Sequence, residues 1–379
     1  MKTRRIPALD GIRGLAILLV LGLHSQANFA DVPVGSTLAR IFALTRLWWC
    51  GVDLFFVLSG FLIGGILLNA RDSSSYYRTF YVRRAFRILP LYFLLLSLYS
   101  LGSQWLPPFG DPIPFALYPL MLQNFVTAVT GLFGVVWLSV TWSLAVEEHF
   151  YLIAPTLIRR LSDRTMIRVV VAAIIVTPII RVIMCLAWPT GFMGAYVLVI
   201  SRADALMWGI GIALIMRNAA AIAWLEQRRK WLLAALAIAA GFVGYMTMEN
   251  WTIVMIAMNA VGYSVVAGGF ALLVLLVLIN DDSRLAALFR WRALRFLGVR
   301  AYAIYLFHLP AIYLVFLANG YTSPAVRRWD EWALAWFGIA AAVLFASFTW
   351  KFIELPLIAR SHRFNYERAG ASEVATRAA

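Results

Sequence analysis

The sequence predicts an all-α, polytopic membrane protein of about ten transmembrane helices, and three observations predict it. The 379 residues are 63% hydrophobic and only 13% charged, against roughly 45–50% and about 25% in a soluble domain. Apolar runs of about 20 residues, long enough to cross the hydrocarbon core, recur along the chain. Basic residues alternate between rich and poor loops, the pattern that orients membrane proteins. A soluble enzyme, a disordered chain and a disulfide framework are excluded by the same composition.

In chain order the expected spans are 11–29, 48–69, 88–106, 141–158, 167–187, 194–216, 231–248, 252–279, 299–318 and 331–353. The first has the leading Lys2, Arg4 and Arg5 of a signal peptide. It lacks an A-x-A cleavage site and carries Asp10, Arg13 and His24, so it is read as a retained span. The second holds Asp53 and Ser59, and the third follows an arginine cluster at 83–87. The fourth contains Glu147, the fifth Arg181, and the sixth Arg202 and Asp204, read as an intramembrane pair. The ninth holds His308 with Tyr302 and Tyr305 on nearby turns. Segment 116–138 is apolar but would break the alternation of charge, so it is read as re-entrant or interfacial. Residues 1–358 form one membrane domain, and 359–379 a loose, polar, cytoplasmic tail.

With alternate loops assigned to two faces, 26 of the 33 Lys and Arg fall on one face and 4 on the other. Arg13, Arg181 and Arg202 lie inside spans. This asymmetry places both termini in the cytoplasm. The net charge of +15 is therefore topology and not a nucleic-acid surface. Cys50 and Cys185 match no metal pattern and no disulfide framework, and no metal-ligating motif appears elsewhere. Both lie near span ends on one side, which leaves a bridge open, although apolar packing is the commoner use.

A charge at the bilayer centre costs roughly 2.5–3.5 kcal/mol on insertion scales, so each intramembrane ionisable residue needs a reason. Arg13 and His24 are 11 residues apart, hence on one helix face and about 16 Å apart along the axis. An arginine at a span end is commonly a snorkelling anchor, and a lone histidine commonly packs; the two together on one face are less easily dismissed. His24, Asp53, Glu147 and Arg181 fall at one depth, about 8–9 Å below the outer boundary. They read either as a self-satisfying polar network or as a reaction chamber whose histidine is tuned by a carboxylate. Arg83, Arg84 and Arg87 serve positive-inside anchoring or bind an anionic, phosphate-bearing ligand, Arg84 and Arg87 being at i,i+3 spacing. Ser59-Gly60 reads first as small-residue helix packing.

These residues sit within a set of motifs: Leu9-Asp10-Gly11-Ile12-Arg13-Gly14 with His24 eleven residues after the arginine, then the run Gly51-Val52-Asp53 through Ser59-Gly60-Phe61. Arg83-Arg84-Ala85-Phe86-Arg87-Ile88-Leu89-Pro90, Trp142-Ser143-Leu144-Ala145-Val146-Glu147-Glu148-His149-Phe150-Tyr151, Ala301-Tyr302-Ala303-Ile304-Tyr305-Leu306-Phe307-His308 and Glu354-Leu355-Pro356 follow. Together and in order, over about residues 4–358, they resemble the acyltransferase-3 family of integral-membrane O-acyltransferases. The resemblance implies a ten-helix core in the bacterial inner membrane. It also implies transfer of an acyl group, usually acetyl from acetyl-CoA, to a hydroxyl of a glycan or lipid-linked sugar. Lipopolysaccharide, exopolysaccharide, peptidoglycan and glycosylated small molecules are typical acceptors. Acyl-CoA is then a donor substrate, and no cofactor is bound tightly.

By matching position, Arg13 and His24 correspond to the family's Arg–His pair, Ser59 to its Ser-Gly-Phe motif, and Arg84 with Arg87 to its R-x-x-R motif. The resulting expectation places CoA phosphates on Arg13, Arg83, Arg84 and Arg87 and the pantetheine arm alongside Ser59. His24 is the general base on the sugar hydroxyl, oriented by Glu147 or Asp53. Asp10, Trp142, Ser143, Arg181 and His308 are supporting residues. A covalent relay through Ser59 or Ser143 is the less favoured route, neither having an adjacent base in sequence. The chain stops before the extracytoplasmic SGNH domain that some members carry, so a stand-alone transferase or a separate extracytoplasmic partner is expected. Two other readings compete: a proton-coupled secondary transporter using the buried acids and His24, and an acyl conduit to a separate transferase.

Overall fold

The computed structural model describes residues 6–26, 32–33, 35–106 and 110–367. Lys2, Arg4, Arg5, Arg368 and Arg377 of the charge count lie outside the described residues, as do positions 27–29 of the first expected span and most of the polar tail. α1 (Pro7–His24) opens on a proline, whose missing N–H is harmless in a first turn. α2 (Thr37–Thr45) is capped by the Ser36 hydroxyl and leads through a tight turn into α3 (Gly51–Ala70). Next come α4 (Tyr76–Gly102), α5 (Gln123–Thr130), α6 (Val136–Ser139), α7 (Thr141–Arg160) and α8 (Asp163–Ala187). They are followed by α9 (Gly191–Val197), α10 (Ala203–Ile215), α11 (Ala219–Gln227), α12 (Arg229–Met248) and α13 (Tyr263–Ile279). The described chain closes with α14 (Arg284–Phe289), α15 (Arg292–Ala318), α16 (Trp329–Thr349) and α17 (Leu355–Ser361).

Among the described residues, eight stretches are long and apolar enough to cross a membrane, or nine if α10 and α11, bent by 104°, count as one span. α7 has the length of a span, 20 residues. It is less apolar because it carries Glu147, Glu148 and His149. The sixth expected span is broken: α9 ends at Val197, and the backbone is extended at Leu198 before α10 starts. The break has a polar cause, because Arg202, at the N-terminus of α10, turns to pair with Asp53. Irregular backbone at such depth is tolerated where it is buried in protein. Segment 116–138 is divided among short helices, none of spanning length. Gln123 and Asn124 tie it to Thr141 and to the Val197 carbonyl.

Helix ends also differ from the apolar runs. α1 stops at His24, and α4 and α15 begin about two turns or more before the hydrophobic stretch. Their arginine-rich first turns are polar yet still good helix formers. Arg83, Arg84 and Arg87 therefore stand within α4 and not ahead of it.

Two glycine contacts set the positions of the site helices. At Gly298 of α15 a Cβ would lie 1.6 Å from the Asp10 carbonyl oxygen, so α1 and α15 touch backbone to backbone. At Gly60 of α3 it would lie 1.9 Å from the Leu206 carbonyl oxygen of α10, while Gly209 of α10 meets Val57 in the same way. Lipid offers no hydrophobic drive between helices, so such close small-residue contacts supply the packing. Gly60→Val should force these backbones apart and cost at least the 1–3 kcal/mol typical of overpacking, about. Loss of the monodisperse peak in detergent gel filtration checks this; an unchanged melting temperature contradicts it.

Candidate active site

α1 and α15 run side by side in the same direction, Asp10 meeting Gly298 near one end and His24 meeting His308 further along. The His24 Nδ1 and His308 Nε2 atoms are 2.9 Å apart, and the ring centroids 4.8 Å. His308 Nδ1 lies 2.7 Å from the Tyr305 carbonyl oxygen and 3.1 Å from that of Ile304. His308 is fully buried, whereas His24 is partly accessible. Beneath them the Ser143 and Tyr305 hydroxyls pair at 2.6 Å, and the Tyr305 hydroxyl donates to the Val140 carbonyl.

A second group gathers toward the arginine-rich end. Glu147 Oε2 accepts from the Tyr151 hydroxyl at 2.7 Å, and Tyr151 in turn meets Ser59 at 2.8 Å. Because Tyr151 gives its proton to the carboxylate, Ser59 donates to the Tyr151 oxygen. Glu147 interacts electrostatically with Arg84, Arg13 and Arg87. Arg13 also lies 3.8 Å from Asp10 and keeps 24% of its side chain accessible. The charges of Arg87 and Arg300 also act on Glu354, which sits in a π-helical turn (Trp350–Glu354). Arg84 lies over the Tyr151 ring, and its buried Nε–H has no hydrogen-bond partner among the described residues. Arg13, Arg84, Arg87, Glu147 and Glu148 are all partly accessible although set among packed helices. Cations and carboxylates from α1, α4 and α7 thus form one partly accessible, basic cluster.

The common-depth expectation needs correction. His24, Asp53, Glu147 and Arg181 do not form one network. Asp53 is ion-paired with Arg202, both 1% exposed. Arg181 pairs with Asp204 at 3.0 Å and also donates to Ser201, Asn259 and Ser264. Arg202 and Asp204 are thus not each other's partners. The Arg202 guanidinium lies 4.3 Å from the Tyr263 ring centre and 5.6 Å from that of Tyr196, against which Trp142 packs. This dry cluster joins α3, α8, α10 and α13. His24 Nδ1 faces His308, and the charge of Glu147 interacts with those of Arg84, Arg13 and Arg87. Depth read from helix number cannot say which faces meet, and that is why the partners were misassigned.

Arg83 is also placed differently from expectation. Its Nε donates to the Phe364 carbonyl at 2.8 Å and its terminal nitrogen to Asn365 Oδ1 at 3.1 Å. The Ser75 and Thr79 hydroxyls donate to the Asn365 carbonyl. Residues 364–367 are therefore docked on α4 and not loose, with Tyr366 close to Arg83. Sequence reasoning missed Tyr151, Tyr305 and Glu354 as site residues. Tyr151 was legible as the residue one helical turn after Glu147. Both cysteines are free, Cys50 being buried.

The chain is thus a helical membrane bundle with a basic cluster below a histidine pair. A family model described as an acyltransferase domain matches residues 6–351. The chain belongs to this family, acyltransferase-3, of membrane acyltransferases. It is 26% identical over 93% of its length to the peptidoglycan O-acetyltransferase OatA of Listeria monocytogenes, covering 56% of that protein. It is 28% identical over 95% of its length to the putative peptidoglycan O-acetyltransferase YrhL of Bacillus subtilis, again covering 56%. A shorter stretch, 42% of each chain, is 36% identical to the acyltransferase MdmB of Streptomyces mycarofaciens. The chain thus spans about half the length of the two longer-matching relatives. No solved structure matches it.

Proposed function

We propose that this chain moves an acyl group, acetyl in the first instance, from cytoplasmic acyl-CoA to a sugar hydroxyl of a cell-surface glycan or its lipid-linked precursor. The observation that carries this reading is the layout of α1. Arg13 stands in the basic cluster, and the partly accessible His24 stands eleven residues on, about 16 Å further along the axis. That span suits a CoA whose phosphates rest on Arg13, Arg84 and Arg87 while its pantetheine arm extends toward His24. The unpartnered Arg84 Nε–H supplies a donor for a phosphate oxygen. Glu147, pinned by Tyr151, holds the arginines in place before the donor arrives.

In the transfer His24 takes the proton of the sugar hydroxyl as its oxygen attacks the thioester carbonyl. The new C–O ester bond forms, the C–S bond breaks, and the CoA sulfur leaves with the proton returned by His24. The arginine-rich end faces the cytoplasm of a bacterial inner membrane, where acyl-CoA is made, and both termini lie there. The acetyl group and the glycan acceptor are proposed from the two peptidoglycan O-acetyltransferases to which the chain is similar. An acyl conduit to a separate extracytoplasmic transferase uses the same basic cluster and would hydrolyse or release CoA without forming a final product of its own.

Charge-assisted hydrogen bonds contribute about 1.5–3 kcal/mol each. Arg84→Ala/Arg87→Ala should therefore weaken acetyl-CoA binding by on the order of 10²-fold. Arg83→Ala should leave donor affinity unchanged, because its guanidinium holds the 364–367 segment. Isothermal titration of protein in nanodiscs tests both; equal losses in the two proteins contradict the assignment.

A further inference from the structure

We infer that His308 is a positioning residue that fixes the tautomer of His24 and so directs its basic nitrogen at the acceptor hydroxyl. The inference deepens the proposed transfer reaction and rests on His24 being its base. Backbone carbonyls only accept, so the short contacts from His308 Nδ1 to Tyr305 and Ile304 put a proton on that nitrogen. No carboxylate faces either ring among the described residues. The groups with resolved contacts to His308 are those two carbonyls, the Tyr305 ring and His24 itself. With no counter-charge the His308 ring is neutral, and its Nε2 carries a lone pair.

That lone pair, 2.9 Å from His24 Nδ1, requires His24 to be the donor in the pair. His24 is thereby held as the Nδ1–H tautomer with Nε2 unprotonated. The logic is that of a hydrolase carboxylate orienting its histidine, carried out here by a neutral imidazole. A neutral orienter suits a site within a membrane, where a second carboxylate would have to be desolvated. Rigid backing is provided by α15, which touches α1 backbone to backbone at Gly298.

The chain has four histidines, so selective ¹⁵N-histidine labelling of the full protein in nanodiscs gives an assignable spectrum. The wild type should show His24 as Nδ1–H with a free Nε2, and His308→Leu should move it toward the Nε2–H form. His308→Leu should lower kcat by at least about 10²-fold with KM for acetyl-CoA unchanged. His308→Gln, whose amide oxygen reaches the position of Nε2, should recover most of that loss. Finding His24 as Nε2–H in the wild type overturns the inference, and this measurement needs no variant to fold. So does a His308→Leu enzyme of wild-type kcat, or a glutamine variant no better than the leucine one. His24→Ala is assayed alongside. Inactive His24→Ala with fully active His308→Leu removes only the positioning role, whereas active His24→Ala removes the reaction reading with it.

Discussion

Replacing His24 by alanine should lower the rate of acyl transfer by about 10²–10⁴-fold, the range contributed by a positioned general base, with acyl-CoA affinity unchanged. The two effects separate because His24 and the arginines occupy different levels of the bundle. The donor phosphates are assigned to Arg13, Arg84 and Arg87, none of which contacts His24. His24 is the last residue of α1 and only partly buried, so truncating it leaves the glycine-mediated packing at Gly298 intact. The loss should therefore appear in kcat and not in the melting temperature. Added imidazole should restore part of the rate if it enters the vacated space. A folded His24→Ala protein with a wild-type rate contradicts the account.

The second large effect concerns stability. Asp53 and Arg202 form an ion pair with each partner 1% exposed, and breaking such a pair by removing one side costs about 3–5 kcal/mol. Asp53→Ala would strand a guanidinium already enclosed by Tyr263, Tyr196 and Phe56. A large drop in thermal stability is expected. Replacing both partners by apolar residues, Asp53→Leu with Arg202→Met, should recover most of it, since apolar substitutes for buried pairs are often neutral or stabilising. This double variant also separates two roles for Asp53. Folded and active, it places Asp53 in the scaffold that joins α3 to α10; folded and inactive, it returns Asp53 to the chemistry.

The helices were legible in the sequence because lipid imposes long apolar runs, and Arg13 with His24 was legible because eleven residues is three helical turns. The partners were not. Asp53 with Arg202, Arg181 with Asp204, and His24 with His308 are contacts between helices distant in sequence, and periodicity within one helix carries no information on which faces meet. Polar demands also broke or extended elements that hydropathy treats as uniform. Arg202 interrupts an apolar run to reach Asp53, and Tyr76–Arg87 continues α4 beyond its hydrophobic part. Gly60 and Ser59 show two readings of one motif holding together: the glycine packs on α10 while the serine beside it faces Tyr151 and Glu147.

The most direct test is release of CoA from acetyl-CoA by the purified protein in nanodiscs, with and without a bacterial glycan-lipid extract, for wild type and His24→Ala. The account predicts extract-stimulated release by the wild type, acetyl appearing in the glycan-lipid fraction, and loss of both in His24→Ala. Well-folded wild-type protein that binds no acetyl-CoA and releases no CoA would contradict it and turn attention to transport.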